Sequence, residues 1–204
     1  MAIYILVALV AYLIGSISFS VIFTKKFAGF DVREKGSKNA GSTNVLRTAG
    51  KGIASLTLIC DILKGVVAIL IALGIGKLDN CEYTEYLVQL AAIMVVIGHT
   101  FPVFFKFKGG KGVATSLGII LLVNWQIGLI CLVFALALII LTRMVSLGSV
   151  SAAILFPVLT IFITENYIVA GDYRIFGIVL GAFICFNHRS NINRLLHGTE
   201  NKLF

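Results

Sequence analysis

The chain has 204 residues, of which 59% are hydrophobic and only 13% charged, with a mean hydropathy of +1.02 and a formal net charge of +8. Soluble domains carry about 25% charged residues, so this composition excludes an ordinary water-soluble domain and points to a chain whose solvent is lipid. The positive excess reports topology first and a lure for anionic substrates or lipids second; it needs no nucleic acid to explain it.

A helix needs about 20 apolar residues to cross a hydrocarbon core of about 30 Å. Residues 2–23 supply such a run without one charge, and Lys25 and Lys26 follow at once. A secretory signal would show a basic segment ahead of a shorter apolar run, so we read a retained span. Further spans fall at 53–76, 86–105, 113–123, 126–142, 150–164 and 173–187. The stretch from 113 to 142 is interrupted only at Asn124-Trp125-Gln126. As one helix it would be about 45 Å long, so we read two helices, the first short. Ala8, Ala11, Gly15 and Ser18 recur at helical spacing in the first span, a small-residue stripe that lets helices approach closely.

The basic residues set the orientation. Lys25, Lys26, Arg33, Lys35, Lys38, Arg47 and Lys51 lie in the first loop, Lys106, Lys108 and Lys111 in the third, and Arg143 in the fifth. With Arg189, Arg194 and Lys202 of the tail, fourteen of the 17 basic residues fall on one side. The positive-inside rule places that side in the cytoplasm. The expectation is an all-α integral membrane protein of about seven transmembrane helices, one domain over 1–204, with its N-terminus outside and its C-terminus cytoplasmic. An even number of spans would divide this charge between both faces.

Asp61 and Lys64, at i and i+3 in the second span, read as a mutually neutralising buried pair rather than as reacting groups. Cys60, Cys81, Cys131 and Cys185 share no metal or redox spacing and read as small packing residues. His99, His188 and His197 show no zinc-ligand spacing either, and no metal or cofactor is expected.

Three motifs depart from the apolar background, all on the basic side. The first is Gly36-Ser37-Lys38-Asn39-Ala40-Gly41-Ser42-Thr43-Asn44, followed by Arg47. Small residues let backbone N–H groups converge on an anion, and Arg47 offers a two-pronged grip on phosphate; an ordinary capped loop is the bland alternative. The second is Gly98-His99-Thr100-Phe101-Pro102, then Gly109-Gly110-Lys111-Gly112-Val113-Ala114-Thr115. Its glycines suit a phosphate wrap, and Lys111 stands at the next helix N-terminus. Gly112 follows the lysine where a nucleotide-binding loop needs Ser or Thr, so nucleotide hydrolysis is unsupported. His99 reads as a hydrogen-bonded structural residue. The third is Asn187-His188-Arg189-Ser190-Asn191-Ile192-Asn193-Arg194, running on to Gly198, Glu200 and Lys202. His188 and Asn191 share one helical face. Alone, this stretch would pass as a basic membrane-anchoring tail.

With these motifs in place the chain resembles the bacterial acyl-phosphate:glycerol-3-phosphate acyltransferases, the PlsY family. G-S-x-N-x-G-x-T-N with its arginine covers 36–47, D-x-x-K-G covers 61–65, G-H-x-x-P and G-G-K-G-V-A-T cover 98–115, and N-I-x-R-L-x-x-G-x-E-x-K covers 191–202. Lys38 stands where the family usually has glycine, and Asn187 where lysine often precedes the histidine. The resemblance implies transfer of a fatty acyl group from long-chain acyl phosphate to the 1-hydroxyl of glycerol 3-phosphate, giving lysophosphatidic acid and phosphate. It implies Ser37, Arg47, Lys111, His188 and Asn191 as catalytic residues. Gly36, Asn39, Gly41, Thr43, Asn44, Gly109, Gly110, Gly112 and Ser149 follow as substrate-binding residues. The partners implied are the two substrates, membrane lipid and the enzyme that makes acyl phosphate, at the bacterial inner membrane with the site on the cytoplasmic side.

Soluble-donor acyltransferases of the pathway use an H-x-x-x-x-D pair, but the fifth residues after the three histidines here are Phe104, Asn193 and Lys202. His188 is therefore expected to polarise or position, while a substrate phosphate oxygen takes the hydroxyl proton. An anion or phosphate transporter is the alternative from another class; against it, only Asp61 and Lys64 lie clearly within the spans. A lipid-binding scaffold would not require so many phosphate ligands.

Overall fold

The computed structural model describes residues 1–79 and 81–203, and among them there is helix but no strand. The chain divides into two compact units, 1–119 and 120–204.

The first unit holds α1 (Ala2–Gly15), α2 (Phe19–Ala28), α3 (Ser42–Ala49), α4 (Lys51–Leu78) and α5 (Thr84–Thr100). Helix α5 is its centre: Leu87, Val88, Ala91, Ala92, Val95 and Val96 are fully buried, and α1 and α4 pack on it. The small-residue stripe does what its spacing implies. Ala11, Gly15 and Ser18 are buried, and a Cβ added at Gly15 would overlap the Val95 carbonyl, while one at Gly98 would overlap the Tyr12 carbonyl. The apolar residues left exposed, Ile5, Leu9, Ile59, Leu63 and Leu70 among them, are what a lipid-facing surface requires.

The first span, expected as one helix over 2–23, is broken. Residues 16–18 leave helical geometry between α1 and α2, and the broken span runs on to Ala28. Helix α2 ends on Gly29 in the left-handed conformation, with Lys25 and Lys26 in its last turn, where cations suit the helix dipole. Beneath the loop that follows, Val21, Val32, Ala40, Val45 and Ala54 form a small buried cluster.

The chain leaves the first unit within α6 (Val113–Val123). The second unit holds α7 (Trp125–Thr142), α8 (Val145–Phe162), α9 (Arg174–Asn187) and α10 (Arg189–Leu196). The break expected at Asn124-Trp125 is present. Asn124 caps α7 by accepting from the Ile127 N–H at 3.2 Å, and its own amide donates to the Glu165 carbonyl at 2.8 Å. Helix α7 ends on a left-handed Arg143, and α9 meets α10 at a 67° bend centred on His188.

Among the described residues five spans are long and apolar enough to cross a membrane, and the bent α9–α10 pair, counted as one span, makes a sixth. The seventh expected segment, α6, has 11 residues, about 16 Å of helix, and does not cross a full core by itself. The chain is thus a multi-pass, all-α membrane protein.

The close approach of α1 and α5 yields a stability prediction. Gly15→Ala and Gly98→Ala should each lower stability by about 1–3 kcal/mol, the usual effect of overpacking against backbone. Gly74→Ala, where an added Cβ meets nothing, should be neutral or stabilising by up to about 1 kcal/mol. Thermal unfolding in detergent reads the difference, and equal effects at Gly15 and Gly74 would refute it.

Candidate active site

In the first unit the loops of the first two motifs meet. Helix α3 starts at Ser42 and α6 at Val113, so each small-residue loop feeds a helix N-terminus, where N–H groups lack intrahelical acceptors and favour an anion. The loops are joined directly: the Ala40 N–H donates to the Gly109 carbonyl at 3.4 Å. Ser20 of α2 donates its hydroxyl to the Ala40 carbonyl at 2.9 Å.

Asn44 organises the first loop. Its amide nitrogen donates to the Val32, Lys35 and Asn39 carbonyls, each at 3.0 Å, and its oxygen accepts from the Ser37 N–H at 2.9 Å. The side chain is 2% exposed and is used within the loop. Asn44 therefore shapes the loop and holds Ser37 against the first turn of α3. Gly36 has φ +57°, and a Cβ there would overlap the Asn44 oxygen. Lys38 is also left-handed, with φ 58°. That conformation is why glycine suits the position, and a lysine holds it at some backbone cost. Ser37 and Arg47 are exposed, while Asn39, Gly41 and Thr43 are half-buried.

The second loop differs from the expected phosphate wrap. The Gly109 N–H donates to the Thr100 carbonyl and the Gly110 N–H to the His99 carbonyl, both at 3.1 Å. These donors are spent on closing the loop against the end of α5. A Cβ at Gly109 would overlap the His99 carbonyl, and one at Gly110 the His99 Nε2. Both glycines thus serve close packing, which sets Lys111, half-buried, and Gly112, with φ +91°, at the start of α6.

One tie between the loops carried no motif signal. Arg33 donates to the Phe105 carbonyl at 2.7 Å and holds Asp31 through two side-chain bonds of 2.9 and 2.7 Å. Arg33 beside Asp31 keeps that carboxyl well below the usual carboxylate range.

Behind the loops, Asp61, Lys64 and His99 are buried together. The Lys64 ammonium lies 2.8 Å from Asp61 Oδ1, and His99 Nδ1 lies 3.5 Å from the same oxygen. The pair is neutralised as expected, and His99 is structural as expected. Among the described residues no cluster of His, Cys, Asp and Glu suits a metal.

The second unit assembles the third motif. His188 is 3% exposed, and its Nδ1 lies 2.8 Å from the Ile184 carbonyl. A carbonyl only accepts, so Nδ1 carries the proton, and in the neutral ring the lone pair falls on Nε2. Asn191, 5% exposed, donates to Glu200 Oε1 at 2.9 Å, and Arg194 pairs with Glu200 Oε2 at 2.9 Å. Ser149 lies on α8, its hydroxyl bonded to the Val145 carbonyl at 2.9 Å. Glu200 was absent from the expected site residues, although the tail motif contained it. It fixes Asn191 and ties the tail to α10.

This arrangement has close counterparts. The sequence profile of the family described as Glycerol-3-phosphate acyltransferase matches residues 5–198. The chain belongs to that family. A glycerol-3-phosphate acyltransferase of Clostridioides difficile (strain 630) is 47% identical, over 98% of this chain and 95% of that protein. One from Thermoanaerobacter sp. (strain X514) is 45% identical over the same shares. Among solved structures, the glycerol 3-phosphate form of PlsY (YgiH), an integral membrane glycerol 3-phosphate acyltransferase, superposes with a TM-score of 0.84 at 38% identity. It covers 98% of this chain and 94% of that one. The lysophosphatidic acid form of the same acyltransferase gives 0.82 at 36% identity, with the same coverage.

The electrostatics of Glu200 give a pH prediction for this acyltransferase. Burial pushes its carboxyl up, but the hydrogen bonds from Asn191 and Arg194 help outweigh that, leaving it below its ordinary value. The stabilisation it gives the tail is therefore complete above the ordinary carboxylate range and lost as pH falls through the lower folded value. Protection of the Thr199 and Leu203 amides, which bond to the Arg194 and Arg143 carbonyls, should fall relative to the intrinsic exchange rate on acidification. Because Arg194 is partly exposed, Glu200→Gln should lower it at neutral pH by about 1 kcal/mol, roughly fivefold. Unchanged protection in Glu200→Gln would remove Glu200 from this role.

Proposed function

We propose that the chain transfers a fatty acyl group from acyl phosphate to the 1-hydroxyl of glycerol 3-phosphate, releasing inorganic phosphate and leaving lysophosphatidic acid in the membrane. The observation that carries the reading is the junction in the first unit: two small-residue loops, each opening a helix, bonded to one another and flanked by Arg47 and Lys111. Both substrates carry phosphate, and a pair of adjoining anion-favouring helix starts suits a reaction that handles two. Membership of the acyltransferase family gives the chemistry its direction.

In the reaction the hydroxyl oxygen attacks the acyl carbonyl carbon, the carbon–oxygen bond to phosphate breaks, and the hydroxyl proton passes to a phosphate oxygen. Acyl phosphate is already activated, so holding the reactants and balancing charge supply much of the rate. Ser37, Arg47 and Lys111 serve phosphate in this reading. Gly36, Asn39, Gly41, Thr43, Asn44, Gly109, Gly110 and Gly112 shape the loops that present them. His188, with its tautomer set by Ile184, and Asn191, set by Glu200, orient the reacting hydroxyl. Ser149 is a further phosphate contact. We take the whole chain, 1–204, as one acyltransferase domain despite its two compact units. The partners in this reading are the two substrates, membrane lipid and the enzyme that makes acyl phosphate.

A donor comparison tests the chemistry. Purified protein should form lysophosphatidic acid from palmitoyl phosphate and not from palmitoyl-CoA, because a thioester leaves the phosphate-binding groups without a partner. In the same assay Arg47→Ala and Lys111→Ala should each lose at least about tenfold in turnover, since a charge-assisted hydrogen bond is worth roughly 1.5–3 kcal/mol and about 1.4 kcal/mol is tenfold in rate. Efficient use of palmitoyl-CoA would sink the mechanism.

The loops lie on the cytoplasmic side of a bacterial inner membrane in this reading, with the N-terminus outside, because fourteen of the 17 basic residues share that side. Cys81 sits beside Asp79, Glu82 and Glu85. A membrane-impermeant thiol reagent should label it in intact cells and leave a cysteine placed by Lys108→Cys unlabelled. The opposite pattern would reverse the orientation.

A further inference from the structure

The reaction as proposed uses neither Asp61, Lys64 nor His99, yet three ionisable side chains buried among apolar helices are costly and call for a reason. Replacing a buried ion pair by apolar residues of similar volume is often neutral or stabilising, so stability alone does not supply it. The geometry supplies a job that apolar residues cannot perform. The Lys64 ammonium donates to the Gly15 carbonyl at 3.1 Å and the Ile17 carbonyl at 2.9 Å, and forms an ion pair with Asp61 Oδ1 at 2.8 Å. Those two carbonyls flank the break in the first span. Lys64 therefore holds the break that precedes α2.

From that break a closed circuit of contacts runs through both loops. Helix α2 carries Ser20, whose hydroxyl holds the Ala40 carbonyl of the first loop at 2.9 Å. The Ala40 N–H holds the Gly109 carbonyl of the second loop at 3.4 Å, and the Gly110 N–H returns to the His99 carbonyl at 3.1 Å. The His99 ring fills the space against Gly110 that a Cβ would need. His99 Nδ1 then closes on Asp61, 3.5 Å away, and so on Lys64.

We propose that Asp61, Lys64 and His99 are positioning residues that fix the spacing between the Ser37–Asn44 loop and the Gly109–Lys111 loop. What the loops hold rests on the acyltransferase reading above; that their spacing depends on the buried cluster does not. Loosening the cluster leaves each loop its own phosphate ligands and disturbs only their relative placement. The expected kinetic signature is a loss of kcat with little change in either KM, because a displacement of about 1 Å costs on the order of a hundredfold in rate.

The test places spin labels at Lys38→Cys and Lys108→Cys, one exposed position on each loop and neither given a binding role, with the four native cysteines replaced by alanine. The reference protein should give one narrow interspin distance. The charge-neutral double variant Asp61→Asn/Lys64→Met, which avoids stranding a single buried charge, should broaden it. His99→Asn, which keeps a donor for Asp61 and removes the ring from Gly110, should broaden it as well. In both variants kcat should fall by at least about tenfold per folded molecule, with the KM for glycerol 3-phosphate within about threefold. A cluster that merely stabilises the fold would lower the melting temperature and leave the distance narrow in the molecules that remain folded. Narrow distances in both variants overturn the proposal whatever the activity, and so does a broadened distance with unchanged kcat. A reference protein that does not acylate glycerol 3-phosphate defeats the functional reading alone, since the distance comparison needs no substrate.

Discussion

A polypeptide that leaves helical geometry inside a bilayer exposes carbonyls that no water can satisfy, and each must find a donor within the protein. The break at residues 16–18 is such a place, and the Lys64 ammonium is the donor that makes it tenable. Asp61 is then required to balance the ammonium, and His99 sits against Asp61 in turn. The charged cluster is thus tied to the break in the first span, beyond which the chain continues as the short α2. Its Ser20 reaches the Ala40 carbonyl and supports the loop where the first motif lies.

The loops divide their residues between shape and charge, and burial separates the two. Asn44 is sealed within its loop by four hydrogen bonds. Gly109 and Gly110 have their N–H groups closed on the end of α5. Each of these bonds helps the backbone turn where it does. Ser37 and Arg47, in contrast, stand exposed. The second unit follows the same rule: Glu200, with its side chain 3% exposed, is fixed between Asn191 and Arg194.

Much of this was legible in the sequence, because hydrophobic runs, small-residue spacing and turn residues act through local physics. The split at Asn124 followed from helix length against membrane thickness. The stripe Ala11, Gly15 and Ser18 followed from the 3.6-residue period, and the neutral pair Asp61–Lys64 from the cost of lone charges in lipid. The break at 16–18 was not legible, since Gly15-Ser16-Ile17-Ser18 reads as continuous apolar helix until a lysine 49 residues away is known to reach it. The part that Asn44, Gly109 and Gly110 take in shaping their loops has no sequence signal of its own. Composition shows that a loop is rich in donors, but which donors the loop spends on itself depends on contacts made only after folding. The tie that Arg33 makes to the Phe105 carbonyl was hidden for the same reason: a single charged residue carries no pattern.

That division bears on the kind of catalysis the chain can perform. The expected base of thioester-using enzymes, a carboxylate five residues after a histidine, is missing by sequence. Asp61 and Glu200 are occupied structurally, Asp61 by Lys64 and Glu200 by Arg194, as Asp31 is by Arg33. Neither is placed to cycle a proton without releasing the element it holds. A chemistry that needed a strong protein base would conflict with this fold. One whose leaving group is already good, and whose substrate oxygens can carry the proton, does not. For such a reaction the useful work is to hold two anions at a fixed separation, and separation is a property of the backbone. The sequence accordingly concentrates its glycines and its buried polar bonds on the shape of the loops and leaves only a few exposed cations to touch what they hold.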